Sequence, residues 1–70
     1  MSLSPGQALS RRQAECLQRI AEGWHYSEIA AVMELSRQTV RNHLARAYSN
    51  LGARNGPHAI ALALRRGIIK

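Results

Sequence analysis

The sequence predicts an all-α fold, a compact bundle of four helices. Apolar residues recur at intervals of three and four, which is the period of a helix with one buried face. Gly and Pro separate these periodic segments, and none of them alternates with the period of two that is typical of a strand. With 70 residues, the chain is predicted to be one small domain with a thin core and little room for a catalytic cleft.

The composition favours a polyanionic partner. Ten Lys and Arg residues stand against four Asp and Glu residues, which gives a formal net charge of +6. This excess indicates nucleic acid or an acidic membrane face, and the alternative is a basic surface without a ligand. The longest apolar run, residues 59–64, is far too short to span a membrane. We therefore expect a soluble protein with no membrane partner.

The single cysteine and the N-terminal residues indicate the cellular compartment and where the domain begins. Cys16 excludes an internal disulfide, and without a signal-peptide pattern we expect a cytoplasmic protein. No His or basic pair near Cys16 would lower its pKa, so we interpret it as a small core or boundary side chain rather than a nucleophile. Residues 1–8 are predicted to be a disordered N-terminal lead, part of which could derive from an expression vector. Residues 9–70 form the predicted domain.

The first helix is predicted to run from about Arg11 to Glu22. Ser10 and Gln13 have the spacing of a capping box, in which each side chain satisfies a free backbone N–H at the start of a helix. Gly23 ends the helix. The predicted buried stripe of this helix consists of Leu17, Ile20, Ala21 and Trp24.

The next segment has the layout of a helix-turn-helix. A short helix is predicted over about 27–33, with Ser27 or His25 as its cap. Its apolar residues are Ile29, Ala30, Val32 and Met33. Residues 34–36 make a tight connection into a longer helix, for which Ser36 is a good N-cap because its hydroxyl can accept a hydrogen bond from the N–H near Thr39. A short helix, a tight turn and a longer helix is an arrangement typical of DNA-binding proteins.

The longer helix, residues 36–51, has two contrasting faces. Its predicted buried face consists of Val40, Leu44, Ala47 and Leu51. The opposite face carries Arg37, Gln38, Arg41, Asn42 and Ala45. Arg, Gln and Asn have the forked donor and acceptor geometry that fits guanine or adenine edges in the major groove. The alternative is an ordinary solvated helix face, which is also polar and often basic.

A fourth helix is predicted from Pro57 to about Arg66, between an Asn55-Gly56-Pro57 turn and Gly67. One apolar face consists of Ala59, Ile60 and Ala63. A second apolar side consists of Ala61, Leu62 and Leu64. We expect this second side to be buried against another copy of the chain. The alternative is that surface Leu and Ala residues need no partner.

The remaining reactive side chains do not form a catalytic or metal-binding pattern. The four Glu residues are scattered, and no Ser/His/Asp or Cys/His set has a plausible geometry, so we do not expect an enzyme. His25, His43 and His58 have no ligand-like spacing with Cys16, so we expect neither a metal nor another cofactor.

Several segments together match one family pattern. They are LSRRQAECL (residues 9–17), the Ala21 and Gly23 pair, EIA (28–30), LSRQTVRNHL (35–44), LGARN (51–55), and the series Ala59, Ile60, Ala63, Gly67 and Ile68. From Leu9 to Ile69 the chain thereby resembles the LuxR/GerE-type helix-turn-helix domain of bacterial quorum-sensing and two-component response regulators. The resemblance implies a transcriptional regulator that binds double-stranded DNA through its third helix. It also implies a homodimer on DNA through the fourth helix, with RNA polymerase as a further candidate partner.

The resemblance assigns roles to individual residues. Base reading falls on Arg41, Asn42 and Ala45. The positions where the helix enters the groove are Arg37 and Gln38. Contact with the DNA backbone falls on Thr39 and His43. Arg46 completes the predicted DNA-binding set. The predicted dimer interface consists of Ala61, Leu62, Leu64 and Arg65.

The chain also departs from the family pattern. Gln13, Asn50 and Gly56 stand where the family usually has Glu, Lys and Arg. Glu34 occupies a turn position that often carries Gly with positive φ, so a strain of about 1 kcal/mol is expected if the turn needs that conformation. Two other interpretations stay open. A sigma-factor-like promoter-recognition module shares the EIA and TVR patterns but leaves residues 52–69 unexplained, and a basic helical protein-interaction domain would also fit the charge.

Overall fold

The computed structural model describes residues 9–70, which form four α-helices and, within that range, no strand. The helices are α1 (Arg11–Ala21), α2 (Tyr26–Met33), α3 (Arg37–Leu51) and α4 (Gly56–Arg65). The third helix packs against each of the other three. The predicted all-α fold is confirmed, whereas the disordered lead predicted for residues 1–8 lies outside the described residues. None of the helices within 9–70 is long and apolar enough to cross a membrane.

Helix α1 begins at the predicted capping box. Ser10 Oγ accepts a hydrogen bond from Gln13 N at 3.1 Å, and Gln13 Oε1 accepts one from Ser10 N at 3.2 Å. Two N–H groups that have no partner inside the helix are therefore satisfied. The helix ends at Ala21, one residue before the predicted end, and Glu22 is its C-cap.

The stripe predicted for α1 is only partly buried. Leu17 is fully buried, Ile20 and Trp24 are half-buried, and Ala21 is exposed. The prediction for Ala21 was wrong because the buried face is centred near Cys16 and Leu17. Since each residue turns the helix by about 100°, Ala21 lies at the edge of that face, in the last position before the chain leaves the helix.

Helix α2 is capped by a carboxylate. It begins at Tyr26, with His25 as N-cap, and Glu28 Oε1 accepts a hydrogen bond from His25 N at 2.8 Å. Buried apolar residues of α2 are Ile29, Ala30 and Met33. Val32, which belongs to the same predicted apolar set, is 51% exposed, so α2 buries a narrower face than its composition indicates.

The turn between α2 and α3 places Glu34 in the left-handed region, with φ 59° and ψ 44°. Leu35 N donates to Ala30 O at 2.9 Å across the turn, a bond that closes the end of α2. Because this turn does use positive φ, the strain expected for a side chain at Glu34 is present.

Helix α3 has the predicted buried face and the predicted cap. Its fully or almost fully buried residues are Val40, Leu44, Ala47 and Leu51, none more than 3% exposed. Ser36 Oγ accepts a hydrogen bond from Thr39 N at 3.0 Å. The cap and the buried stripe together fix which side of α3 faces outward.

Helix α4 starts one residue earlier than predicted. Asn55 Oδ1 accepts a hydrogen bond from His58 N at 2.9 Å and serves as N-cap, so Gly56 is the first helical residue and Pro57 the second. A Cβ on Gly56 would lie 3.2 Å from Tyr48 Oη, which is closer than ordinary contact. The missing side chain at Gly56 therefore leaves room for Tyr48.

Gln13 and Asn50, two residues that depart from the pattern noted in the sequence, contact each other. Asn50 Nδ2 donates a hydrogen bond to Gln13 Oε1 at 3.1 Å, which joins the end of α3 to the start of α1. The same oxygen accepts the bond from Ser10 N in the capping box. An uncharged amide pair thus joins these two helices.

Cys16 is a core residue, as interpreted from the sequence. It is fully buried, and its Sγ lies 3.8 Å from Met33 Sδ. Burial raises the pKa of the Cys16 thiol, and the negative charge of Glu15 adds to that rise. A buried thiol with a raised pKa holds little thiolate at neutral pH, and the thiolate is the nucleophilic form.

Replacing Glu34 with Gly is expected to leave the melting temperature unchanged or to raise it. Loss of the Cβ relieves a strain of about 1 kcal/mol, which offsets the greater backbone entropy that Gly loses on folding. Thermal unfolding followed by circular dichroism measures the change. Glu34→Gln is the matched control, because it removes the negative charge at the C-terminus of α2 but keeps the strained side chain. A clear fall in melting temperature for the Gly variant would contradict the strain.

We expect Cys16 to react with iodoacetamide at least about tenfold more slowly in the folded chain than in denaturant, because the thiol is buried and its pKa is raised. Mass spectrometry of samples quenched over time gives both rates, and the chain has no second thiol to interfere. Equal rates in the two conditions would show that the core around Cys16 opens readily.

Candidate nucleic-acid interface

The outward side of α3 brings most of the predicted DNA-binding residues together. The exposed members of the set are Arg37, Gln38, Arg41, Asn42, Ala45 and Arg46. Thr39 and His43 are half-buried. Gln38, Asn42 and Ala45 follow one another at intervals of four and three, so they form a row along the helix. A helix of this kind fits the major groove of B-DNA, which is about 12 Å wide.

Within this row, Gln38 and Asn42 are hydrogen-bonded to each other. Gln38 Nε2 donates to Asn42 Oδ1 at 3.0 Å. The bond leaves the Asn42 amide N–H groups and the Gln38 carbonyl oxygen facing solvent as a donor and an acceptor. An adenine edge requires one of each, a donor for N7 and an acceptor for the N6 amino group. The pair can therefore meet adenine jointly, and Asn42 can also make a bidentate contact by itself, because its carbonyl oxygen has a second lone pair.

Arg41 lies on the side of the row nearest α2. Its guanidinium carbon is 5.7 Å from the centroid of the Tyr26 ring, and Tyr26 is the first residue of α2. This separation is within the range of cation–ring attraction, about 6 Å. Arg41 is nevertheless exposed, so its N–H groups can still reach a base. Sequence reasoning missed Tyr26, because no local pattern links two residues on different helices.

The start of α3 offers donors suited to phosphate. Ser36 Oγ lies 2.8 Å from Thr39 Oγ1 and accepts from Thr39 N at 3.0 Å. Two hydroxyl groups carry two hydrogens and their mutual bond uses one, so one hydrogen is left for an external acceptor. The positive end of the helix dipole also favours an anion at this end of α3.

The residues predicted for the dimer interface are unequally accessible. Leu64 is 49% exposed, and Arg65 is exposed as well, whereas Ala61 and Leu62 are half-buried. Leu62 also packs against the hydrophobic core. Leu64 and Arg65 are thus the members of this set that are most available to another molecule.

We also searched the rest of residues 9–70 for a metal site or a binding pocket. Among residues 9–70, no group of three His, Cys, Asp or Glu side chains could hold a metal ion. A shallow, open pocket is lined by Glu22, Gly23, Trp24 and Glu28. Its Trp24 ring is already covered on one side by the Arg19 guanidinium, 4.7 Å from the ring centroid.

Comparisons with known proteins identify the family of this chain. Residues 7–63 match the family model of bacterial regulatory proteins, luxR family. The chain is 42% identical over 81% of its length to the probable HTH-type transcriptional regulator GfsR of Streptomyces halstedii, and covers 24% of that protein. It is 37% identical over 93% of its length to the transcriptional activator protein BjaR1 of Bradyrhizobium diazoefficiens, and covers 27% of it. The chain thus spans about a quarter of the length of these relatives.

The fold itself is similar to that of the transcription factor GerE. The two structures superpose with a TM-score of 0.85 at 29% sequence identity, over 89% of this chain and 92% of the other. The family match includes the whole of α1, α2 and α3 and most of α4. The chain therefore belongs to the LuxR family of bacterial regulatory proteins, as a helix-turn-helix domain of that family.

Proposed function

We propose that this domain binds duplex DNA in a sequence-specific manner, with α3 in the major groove, as part of a cytoplasmic transcriptional regulator. The observation that carries the proposal is the outward side of α3, where exposed Arg, Gln and Asn side chains stand opposite a face that is almost completely buried. Membership of the LuxR family supports it. GfsR and BjaR1, to which the chain is similar, are described as a transcriptional regulator and a transcriptional activator.

The side chains on the outward side of α3 and at its start have different proposed roles. Arg41 can meet the O6 and N7 acceptors of guanine, and the Gln38–Asn42 pair can meet adenine. Ala45 presents only a methyl group, which suits contact with a thymine methyl and little else. The hydroxyls of Ser36 and Thr39 and the half-buried His43 are placed to contact phosphate, which sets position rather than sequence preference.

General affinity comes from charge. The formal net charge of +6 attracts the DNA backbone. The affinity of such binding falls steeply as the salt concentration rises, because binding releases counterions from the phosphates. This affinity would not distinguish DNA from another polyanion. The experiment that decides the function must therefore measure sequence preference.

A second copy of the chain would add affinity. We infer that two domains bind adjacent half-sites about 34–36 Å apart and touch through the outward side of α4. The half-exposed Leu64 supports this inference, because removing its apolar surface from water would favour association. Any contact with RNA polymerase stays a prediction from the family resemblance.

Replacing Arg41 with Ala is expected to reduce discrimination at one base pair of the half-site by about 1–3 kcal/mol. Selection of bound sequences from random duplex DNA first defines the half-site, and fluorescence anisotropy at fixed salt then measures affinity for it and for single-base variants. Arg12→Ala, at an exposed position of α1, removes the same charge outside the row and should preserve the order of preference. If Arg41→Ala weakens every sequence equally, or none, Arg41 does not read a base.

Replacing Leu64 with Asp is expected to abolish cooperative binding to DNA with two half-sites and to leave the domain folded, because the side chain is already half exposed. Titrations on DNA with one and with two half-sites separate cooperativity from intrinsic affinity. Val32→Asp is the matched control, since Val32 is equally exposed on α2 and should retain cooperativity. Unchanged cooperativity in the Leu64 variant would exclude this side of α4 as the dimer contact.

A further inference from the structure

Tyr26 is an aromatic residue next to the candidate base-reading row that belongs to none of the roles assigned above. It stands at the first position of α2, half-buried, with its ring 5.7 Å from the guanidinium carbon of Arg41. The contact joins the first helix of the helix-turn-helix to a side chain of the second. The contact therefore depends on how the two helices pack.

The ring itself is held in place. The start of α2 is fixed by the hydrogen bond from His25 N to Glu28 Oε1, 2.8 Å long. Both Tyr26 and Tyr48 pack against the core. Tyr26 is close enough to contribute to the raised pKa of Tyr48, although burial is the larger cause of that rise. Gly56 in turn leaves the space that the Tyr48 hydroxyl occupies. The Tyr26 ring next to Arg41 is thus held by its packing against the core and by the fixed start of α2.

We propose that Tyr26 is a positioning residue for Arg41 in DNA recognition, an inference that rests on the proposed function. A free Arg side chain loses much rotational freedom when it binds, and this loss reduces affinity and discrimination. Attraction to the ring restricts the guanidinium before DNA arrives. It leaves the forked N–H groups free to pair with guanine O6 and N7.

In this role Tyr26 acts through Arg41, 5.7 Å from its ring, and not through the DNA backbone. The phenolic hydroxyl could instead donate to phosphate, but such a contact would strengthen binding to all sequences alike. A ring that orders Arg41 affects only the base pair that Arg41 reads. Ring and hydroxyl can be separated by substitution, which makes the inference testable.

The test is a double-mutant cycle on binding to the selected half-site and to its variant at the Arg41 base pair. Tyr26→Leu keeps apolar bulk but removes the ring, and it should reduce the preference between the two DNAs by about two- to fivefold, the size expected of an exposed cation–ring contact. Tyr26→Phe keeps the ring and should retain the wild-type preference. In an Arg41→Ala background, Tyr26→Leu should cause no further change in preference.

Each other outcome overturns the inference. A loss of preference in Tyr26→Phe would assign the effect to the hydroxyl, and an equal loss on both DNAs in Tyr26→Leu would assign it to general affinity. If Arg41→Ala itself leaves preference unchanged, the base-reading role of Arg41 fails and this inference fails with it. If Arg41→Ala removes the preference and Tyr26→Leu does not alter it, only the positioning role of Tyr26 is lost.

A measurement on the unmodified domain without DNA covers the case in which Tyr26→Leu does not fold. The side-chain Cδ protons of Arg41 should be shifted upfield in the NMR spectrum by the ring current of Tyr26. Those of Arg46, which is exposed on the same helix, provide the reference. Identical shifts for the two arginines would show that the guanidinium does not rest on the ring, and would overturn the inference.

Discussion

Burial of one face of α3 is the constraint on which the rest of the structure depends. The four residues of that face are at most 3% exposed, and each of the other helices packs against α3. Helices of 8 to 15 residues are marginal on their own in water, so these contacts are what stabilise them. The same helical period that buries Val40 and Leu44 turns Gln38 and Asn42 outward. Packing of the buried face of α3 into the core therefore also determines which side chains form the candidate interface.

The parts of the fold that were predictable from sequence are those whose partners lie close together in the chain. The caps at Ser10 and Ser36 join residues three apart, so both partners are visible in a short window. The stripe of α3 is long enough for its period to be unambiguous. On α1 the stripe is shorter, and the exposure of Ala21 depends on where the helix rotates against its neighbours, which its own residues do not specify.

The candidate site divides in the same way. Which side chains of α3 face outward followed from the period. The bond between Gln38 and Asn42 was also accessible in principle, because an amide pair four residues apart on a helix often hydrogen-bonds. The contact between Tyr26 and Arg41 was not accessible, since it depends on how α2 crosses α3. Contacts between helices, such as that between Tyr26 and Arg41, thus contribute features of the site that the sequence pattern of one helix does not predict.

The amide pair of Gln13 and Asn50 affects how the tertiary structure of the domain responds to salt. It joins α1 to α3 without charge, and the ion pair found within residues 9–70, between Glu15 and Arg19, lies inside α1. Salt screens interactions between exposed charges but has little effect on hydrogen bonds between neutral amides or on apolar packing. Phosphate binding, in contrast, is lost steeply as ionic strength rises. Concentrated salt should therefore release the domain from nucleic acid while its tertiary structure stays intact.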